Sequence, residues 1–171
     1  LVTRFLDFVR PLELRPAPAD LAQVLDRSVA MVEREAAARD VTVYKNYSPD
    51  IPPFSLDAEL MERVFYNLLA NAAQATAPGG AVTVKTRPVA GNAEISVIDR
   101  GEGIEPKLMD TIFNPFFTTK PEGVGLGLAI CSKIVDQHGG KIAVESERGK
   151  GSVFRVYLPM GVAVSGSKPK D

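Results

Sequence analysis

The chain has 171 residues, a formal net charge of −1 and 45% hydrophobic residues, which suits one packed domain with at most a short extension. A charge so close to zero gives no electrostatic reason to expect nucleic acid as a partner. The single cysteine excludes an internal disulfide, and no apolar run approaches the roughly 18 residues of a membrane-spanning helix.

The first fifteen residues are predicted to be the end of a helix followed by a linker. Apolar residues from Val2 to Val9 recur at helical spacing, and Pro11 ends that pattern. Three prolines between Pro11 and Pro18 favour an irregular linker. Because so short a helix needs a partner for its apolar stripe, the sequence is interpreted as a fragment of a longer protein.

Two amphipathic helices with a strand between them are predicted next. Asp20 suits the N-cap of a helix that fades near Ala38, and Asp57 suits the N-cap of a second helix that ends near Ala77. Residues 41–47 alternate in polarity and are rich in β-branched side chains, which predicts a strand.

Two hairpins are predicted in the second half of the chain. The first joins strands at 82–87 and 93–99, and the second joins strands at 141–146 and 152–158. With the strand at 41–47 they predict an α+β fold. It is a two-layer sandwich with a mixed five-stranded sheet and about three helices on one face.

The region between the hairpins is predicted to be mostly irregular. A short helix is expected from Pro106 to Ile112, followed by a loop over 114–125. A helix from Leu126 to His138 is then closed by two glycines. Residues 161–171 are polar and are expected to be frayed.

Two asparagines, Asn67 and Asn71, lie on a polar face of the second helix together with Arg63 and Gln74. Amide oxygens can ligate a hard cation such as Mg²⁺, which takes few protein ligands beside water and phosphate. From spacing alone, both asparagines are better explained as ordinary polar surface residues. The motifs that follow them along the chain make cation binding the better explanation of the two asparagines.

Asp99 ends a predicted strand and is followed by Gly101 and Gly103. An ionised carboxylate only accepts hydrogen bonds, so it can hold an exocyclic amine such as that of adenine. The glycines would let the backbone approach a flat ring closely. A simple turn after a strand is the open alternative. A calcium loop is excluded, because the glycines stand where such a loop needs oxygen-bearing side chains.

The stretch 118–127 combines two threonines, Lys120 and three glycines directly before a helix. Backbone N–H groups and a helix N-terminus favour phosphate, and Lys120 adds a positive charge for a terminal phosphate. A loop with a surface lysine is the alternative. The glycine spacing fits neither the P-loop nor the dinucleotide fingerprint, and the absence of H-R-D and D-F-G excludes a eukaryotic-type protein kinase.

These motifs, in this order, resemble the ATP-binding catalytic domain of bacterial two-component sensor histidine kinases. The short loop at 118–123 is similar to that of nitrogen-sensor-type members, and the resemblance implies that residues 116–126 form a lid loop over the triphosphate. The resemblance covers roughly Asp20 to Pro159. Its parts are the N box at 67–75, the first glycine box at 99–104, the F box at 112–120, the second glycine box at 123–128 and a last box at 149–154.

The resemblance implies a site for ATP and Mg²⁺ and assigns roles within it. Asn71 would hold the magnesium ion and Asp99 would bind adenine. Ser152 would support the end of the site at which Asp99 lies. Asn67 and Lys120 are the predicted catalytic residues. The predicted nucleotide-binding set is Asn67, Asn71, Gln74, Ala75, Asp99, Gly101, Gly103, Ile104, Thr118, Thr119, Lys120, Gly123, Val124, Gly125, Leu126, Gly127, Leu128 and Ser152.

Asn67 also bears on the acceptor of the phosphoryl group. ATPases and serine kinases of the same fold carry a glutamate at this position, and a neutral amide cannot replace it as a proton acceptor. A neutral imidazole already has a lone pair, so Asn67 favours histidine as the acceptor, with catalysis by positioning and charge neutralisation. His138 is the only histidine, lies at a predicted helix end and is not expected to be that acceptor. Cys131 is expected to pack in the core.

The resemblance implies transfer of the γ-phosphoryl group of Mg-ATP to a histidine on a dimerisation helix outside this chain. It divides the chain into a remnant of that domain and linker (1–15), the ATP-binding domain (16–160) and a disordered tail (161–171). The implied partners are the dimerisation domain of a homodimeric parent and a response regulator. The domain is expected to be cytoplasmic, in a parent that is either soluble or membrane-anchored. Two alternatives stay open: an ATPase or serine kinase of the same fold, and an ATP-gated interaction module without transfer.

Overall fold

The structure is a computed structural model that describes residues 12–109, 111–113 and 127–161. The predicted N-terminal helix, the lid loop and nearly all of the tail lie outside the described residues. The helices of the described part are α1 (Leu21–Ala38), α2 (Ala58–Ala75) and α3 (Gly127–Gln137). The strands are β1 (Ala17–Ala19), β2 (Thr42–Asn46), β3 (Phe54–Leu56), β4 (Ala81–Val89), β5 (Asn92–Asp99), β6 (Lys141–Glu147) and β7 (Gly151–Pro159).

Five of these strands form the main sheet, in the order β2-β4-β5-β7-β6. β2 runs parallel to β4, and the other neighbouring strands are antiparallel. The β4–β5 hairpin turns at Ala90 and Gly91, whose φ values of 50° and 82° are those of a tight two-residue turn. The mixed five-stranded sheet is therefore present as predicted.

The helices cover one face of this sheet. Val84 and Ile95 point toward the helices and are 0% exposed, whereas Lys85 and Arg87 alternate with them and are exposed on the other face. The apolar stripe of α2 packs against β4 and β5, while α1 contacts β2 and α3 contacts β6. The predicted two-layer α+β sandwich is confirmed over the described ranges.

The helix ends follow the sequence signals. Asp20 Oδ1 accepts a hydrogen bond from the Ala22 N–H at 3.0 Å, and Asp57 Oδ1 accepts one from the Leu60 N–H at 3.0 Å. The predicted glycine pair ends α3, with Gly139 at a φ of 75°. Among the described helices, none combines the length and the apolarity needed to span a bilayer.

Two local predictions are wrong. The end of the predicted linker forms β1, which pairs antiparallel with β3 in a separate two-stranded sheet. This sheet tolerates Pro18, because an edge strand need not donate every backbone N–H. The predicted helix from Pro106 to Ile112 is only a 3₁₀ turn, Pro106–Leu108. There the Thr111 hydroxyl donates to the Leu108 carbonyl at 2.9 Å and competes for an acceptor that a longer helix would use.

Candidate functional site

Asp99 ends β5 and is almost completely buried, with 6% of its surface exposed. Its Oδ1 accepts a hydrogen bond from the Gly101 N–H at 2.9 Å, and the backbone of Ser152 provides a second one. Burial raises the pKa of this carboxyl group, and the two backbone hydrogen bonds oppose the increase. Because a carboxylate has about four lone-pair sites, Asp99 keeps acceptor capacity for an amine on a ligand.

The loop that follows Asp99 lies against the turn between β6 and β7. The Gly149 N–H donates to the Glu102 carbonyl at 2.7 Å. The Ile104 N–H donates to Ser146 Oγ at 2.9 Å. These bonds fix residues 101–104 beside the buried carboxylate.

Gly101 and Gly103 are required by the packing of this loop. A Cβ on Gly101 would collide with the carbonyl oxygen of Ala75 at the end of α2, and one on Gly103 would collide with that of Glu147. Gly103 also has a φ of 76°, which favours glycine. We expected these glycines to admit a flat ring. The structure shows that they admit backbone atoms of the protein itself, and the approach to a flat ring stays a prediction.

The contact between Gly101 and Ala75 brings this loop to the end of α2 that carries the predicted N box. Within the N box, Asn67 and Asn71 are half-buried and Gln74 is exposed. The C-terminal end of α2 and the loop that follows Asp99 are therefore in contact. That the N box and Asp99 form one binding site stays a prediction.

Asn67 also connects α2 with α3. Its side chain hydrogen-bonds the thiol of Cys131. Burial raises the pKa of this thiol to about 12. The thiol donates to the Val64 carbonyl at 3.7 Å, and Cys131 is completely buried, as core packing requires. Asn67 therefore lies near the beginning of the helix that directly follows the predicted phosphate loop.

The described members of the predicted site come from four segments: the end of α2, the end of β5 with its loop, the start of α3 and the start of β7. Gly127 and Leu128 begin α3 and are half-buried, and Ser152 is buried beside Asp99. The remaining predicted residues lie outside the described ranges; they are Thr118, Thr119, Lys120, Gly123, Val124, Gly125 and Leu126.

Magnesium is compatible with the donors at the end of α2. Within the part of the chain that the structure describes, no three His, Cys, Asp or Glu side chains cluster as a metal cage would require. Mg²⁺ bound together with ATP needs only one or two protein ligands, because phosphate and water supply the rest. The half-buried amide of Asn71 fits that requirement.

His138 has a structural role that the sequence did not reveal. Its Nδ1 donates to the Ile134 carbonyl at 2.9 Å, and its Nε2 accepts from the Asp57 N–H at 3.0 Å. The two contacts together assign the neutral tautomer with the proton on Nδ1. No local pattern links residues so distant in sequence. Engagement of both ring nitrogens agrees with the expectation that His138 is not a phosphoryl acceptor.

Residues 56–162 match the family model of histidine kinase-, DNA gyrase B- and HSP90-like ATPases. The chain belongs to this family. The sensor histidine kinase ZraS of Escherichia coli (strain K12) is 37% identical over 162 residues, which are 95% of this chain and 35% of ZraS. The chain therefore spans about a third of the length of the curated relatives that it matches.

Solved structures of histidine kinases share the fold of this family member. Full-length ShkA in complex with AMPPNP superposes with a TM-score of 0.85 at 29% identity, covering 92% of this chain and 35% of that one. The complex of the histidine kinase ThkA with the response regulator protein TrrA gives 0.80 at 28% identity, covering 93% and 46%. The predicted family, its ATP-binding class and its fold are confirmed.

Proposed function

We propose that this ATPase-family domain binds Mg-ATP and transfers the γ-phosphoryl group to a histidine on a separate dimerisation helix. The observation that carries the proposal is the buried carboxylate of Asp99, held by two backbone hydrogen bonds with acceptor capacity to spare. An ionised carboxylate selects a ligand that presents N–H donors, as the exocyclic amine of adenine does. Similarity to ShkA, which was solved with AMPPNP, supports the same ligand class.

The character of Asn67 supports histidine as the acceptor. Its partner Cys131 is a buried thiol with a raised pKa, so a neutral amide lies beside a neutral group at this point of the site. Such a pair cannot take a proton from water or from a serine hydroxyl. A neutral imidazole needs no such help, because its unprotonated nitrogen already has a lone pair.

The remaining roles rest on positioning and charge. Asn71 is the residue that would hold Mg²⁺, and the ion would supply positive charge that neutralises the phosphates. Lys120 and the hydroxyls of Thr118 and Thr119 are proposed to bind the phosphates together with the glycine-rich segment before α3. Ser152 keeps Asp99 in place through its backbone.

The partners in this proposal lie outside the chain. They are the dimerisation domain of the parent protein, which carries the acceptor histidine in a homodimer, and a response regulator. The complex of ThkA with TrrA supports a response regulator as the downstream partner. A cytoplasmic location follows from the proposed role, and the net charge of −1 gives no reason to add nucleic acid.

A transfer assay with two separate polypeptides tests the proposal. The chain is mixed with the isolated dimerisation domain of the parent, γ-labelled ATP and Mg²⁺, and the products are treated with acid and with base. We expect label on the second polypeptide that is lost in acid and kept in base, as phosphohistidine requires. Asp99→Asn should greatly reduce the labelling, and Gln137→Ala, an exposed change outside the site, should not.

Absence of labelled histidine when both polypeptides are folded would overturn the proposal. Steady release of inorganic phosphate that is lost in Asn67→Ala would favour an ATPase of the same fold instead. Tight nucleotide binding without transfer or hydrolysis would favour an interaction module.

A further inference from the structure

Ser146 connects the loop beside Asp99 to the β6–β7 hairpin. It lies near the end of β6, directly opposite Ser152 on β7. Its hydroxyl oxygen lies 2.9 Å from the Ile104 nitrogen, 3.0 Å from the Gly151 carbonyl oxygen and 2.8 Å from Ser152 Oγ. One part-buried hydroxyl therefore has three hydrogen-bond partners.

These three contacts use the complete hydrogen-bonding capacity of a hydroxyl, which has one donor and two acceptor sites. Ser146 must accept from the Ile104 N–H, because a backbone N–H only donates. It donates to the carbonyl oxygen of Gly151, which only accepts. The remaining bond then runs from the Ser152 hydroxyl to Ser146 Oγ, so Ser152 supports Asp99 through its backbone and Ser146 through its side chain.

The other contacts between loop and hairpin are less dependent on side chains. The bond from Gly149 to Glu102 joins two backbone groups. The ion pair of Arg148 with Glu105 spans 3.5 Å between side chains that are 73% and 36% exposed, so solvent screens it. Within the described residues of the loop and hairpin, Ser146 provides the side-chain hydrogen bond that joins the two segments.

We infer that Ser146 is a positioning residue for recognition of the nucleotide base. By holding Ile104 and its loop against the hairpin, it keeps residues 101–104 in the conformation that flanks the Asp99 carboxylate. Without it the Ile104 N–H loses its partner, and part of the binding free energy must be used to order the loop. The inference rests on the proposed nucleotide site.

Titration calorimetry with a non-hydrolysable ATP analogue and its GTP counterpart tests the inference, with Mg²⁺ present. The variants are Ser146→Ala, Ser146→Thr, which keeps the hydroxyl, and Ser48→Ala. Ser48 is the matched control, because its hydroxyl accepts the Asp50 N–H at 3.1 Å near the opposite end of β4. Thermal unfolding of each variant establishes a temperature at which all are folded.

Ser146→Ala is expected to bind the ATP analogue about 10-fold more weakly than the native chain and to prefer adenine over guanine less strongly. Ser146→Thr should recover most of the affinity, and Ser48→Ala should bind like the native chain. Hydrogen exchange at the Ile104 amide should be faster in Ser146→Ala alone.

Two results would overturn the inference, and they are distinguishable. If Ser146→Ala binds both analogues like the native chain while Asp99→Asn binds more weakly, the positioning role is wrong and the nucleotide site stands. If the folded native chain binds neither analogue, the proposed function fails and this inference fails with it.

Discussion

The Nε2 atom of His138 accepts a hydrogen bond from the backbone N–H of Asp57 at 3.0 Å. The carboxylate of Asp57 in turn accepts from the N–H groups of Leu60 at 3.0 Å and Arg15 at 2.8 Å. The end of α3, the start of α2 and the segment that leads into β1 therefore meet at one aspartate. Because Asp57 is only 6% exposed, losing a partner leaves a buried polar group unpaired.

Replacing His138 by alanine removes the acceptor of the Asp57 N–H. We expect the free energy of unfolding, measured in urea, to fall by about 1–3 kcal/mol. Gln137→Ala, an exposed change at the end of the same helix, is the control and should stay within about 0.5 kcal/mol of the native value. Phosphoryl transfer to a separate histidine helix should persist in folded His138→Ala; its complete loss would show that His138 takes part in the chemistry.

Asp57 should contribute more to stability than the other N-cap, Asp20. Asp57 accepts two backbone hydrogen bonds and is buried, whereas Asp20 accepts one bond from the Ala22 N–H and is exposed. Chemical unfolding should show a cost of about 1 kcal/mol for Asp20→Ala and about 2–3 kcal/mol for Asp57→Ala. Equal costs would mean that the bond to Arg15 contributes nothing to stability.

Gly101→Ala is expected to destabilise the chain by about 1–3 kcal/mol, because its Cβ would collide with the Ala75 carbonyl. Gly91→Asn is the matched control. Gly91 has a φ of 82° and no atom within 4 Å of an added Cβ, and asparagine tolerates that conformation. Thermal unfolding should place the control near the native chain. A fully stable Gly101→Ala would contradict the close approach of the loop to α2.

Features with a local cause were predictable from the sequence. The caps Asp20 and Asp57, the alternation of the strands and the glycine pair after α3 each leave a pattern within a few residues. The pairing of β1 with β3 leaves none, because two three-residue strands, one of them containing proline, are too short to alternate visibly. That pairing depends on burial of Phe54 and Leu56, which only the folded chain provides.

The candidate site shows the same division. Asn67, Asn71 and Asp99 were predicted because their motifs combine residue types that suit one ligand. The hydrogen bond from the Ile104 N–H to Ser146 was not predicted, because it joins two segments that are distant in sequence. The close approach of Gly101 and Gly103 to protein backbone was not predicted, because a sequence does not reveal which backbone lies opposite a glycine.

The pH dependence of the chain's free energy of unfolding should include a contribution from Asp99. Burial raises the pKa of this carboxyl group above its ordinary value of 3.8, so the ionised form destabilises the fold. The penalty is fully present above the raised pKa and disappears as the pH falls toward the ordinary value. Asp99→Asn lacks this penalty, so the stability of the variant relative to the native chain should increase as the pH rises through the raised pKa of Asp99. A stability difference between the two chains that does not change with pH, measured by unfolding in urea between about pH 3 and pH 7, would contradict this account.

The most direct test of the central claim is a calorimetric titration of the native chain and of Asp99→Asn with a non-hydrolysable ATP analogue and Mg²⁺. The account predicts binding at one site of the native chain, weakened by about 1–3 kcal/mol in the variant because a charged hydrogen-bond acceptor is lost. A folded native chain that does not bind, or a variant that binds equally well, would contradict it.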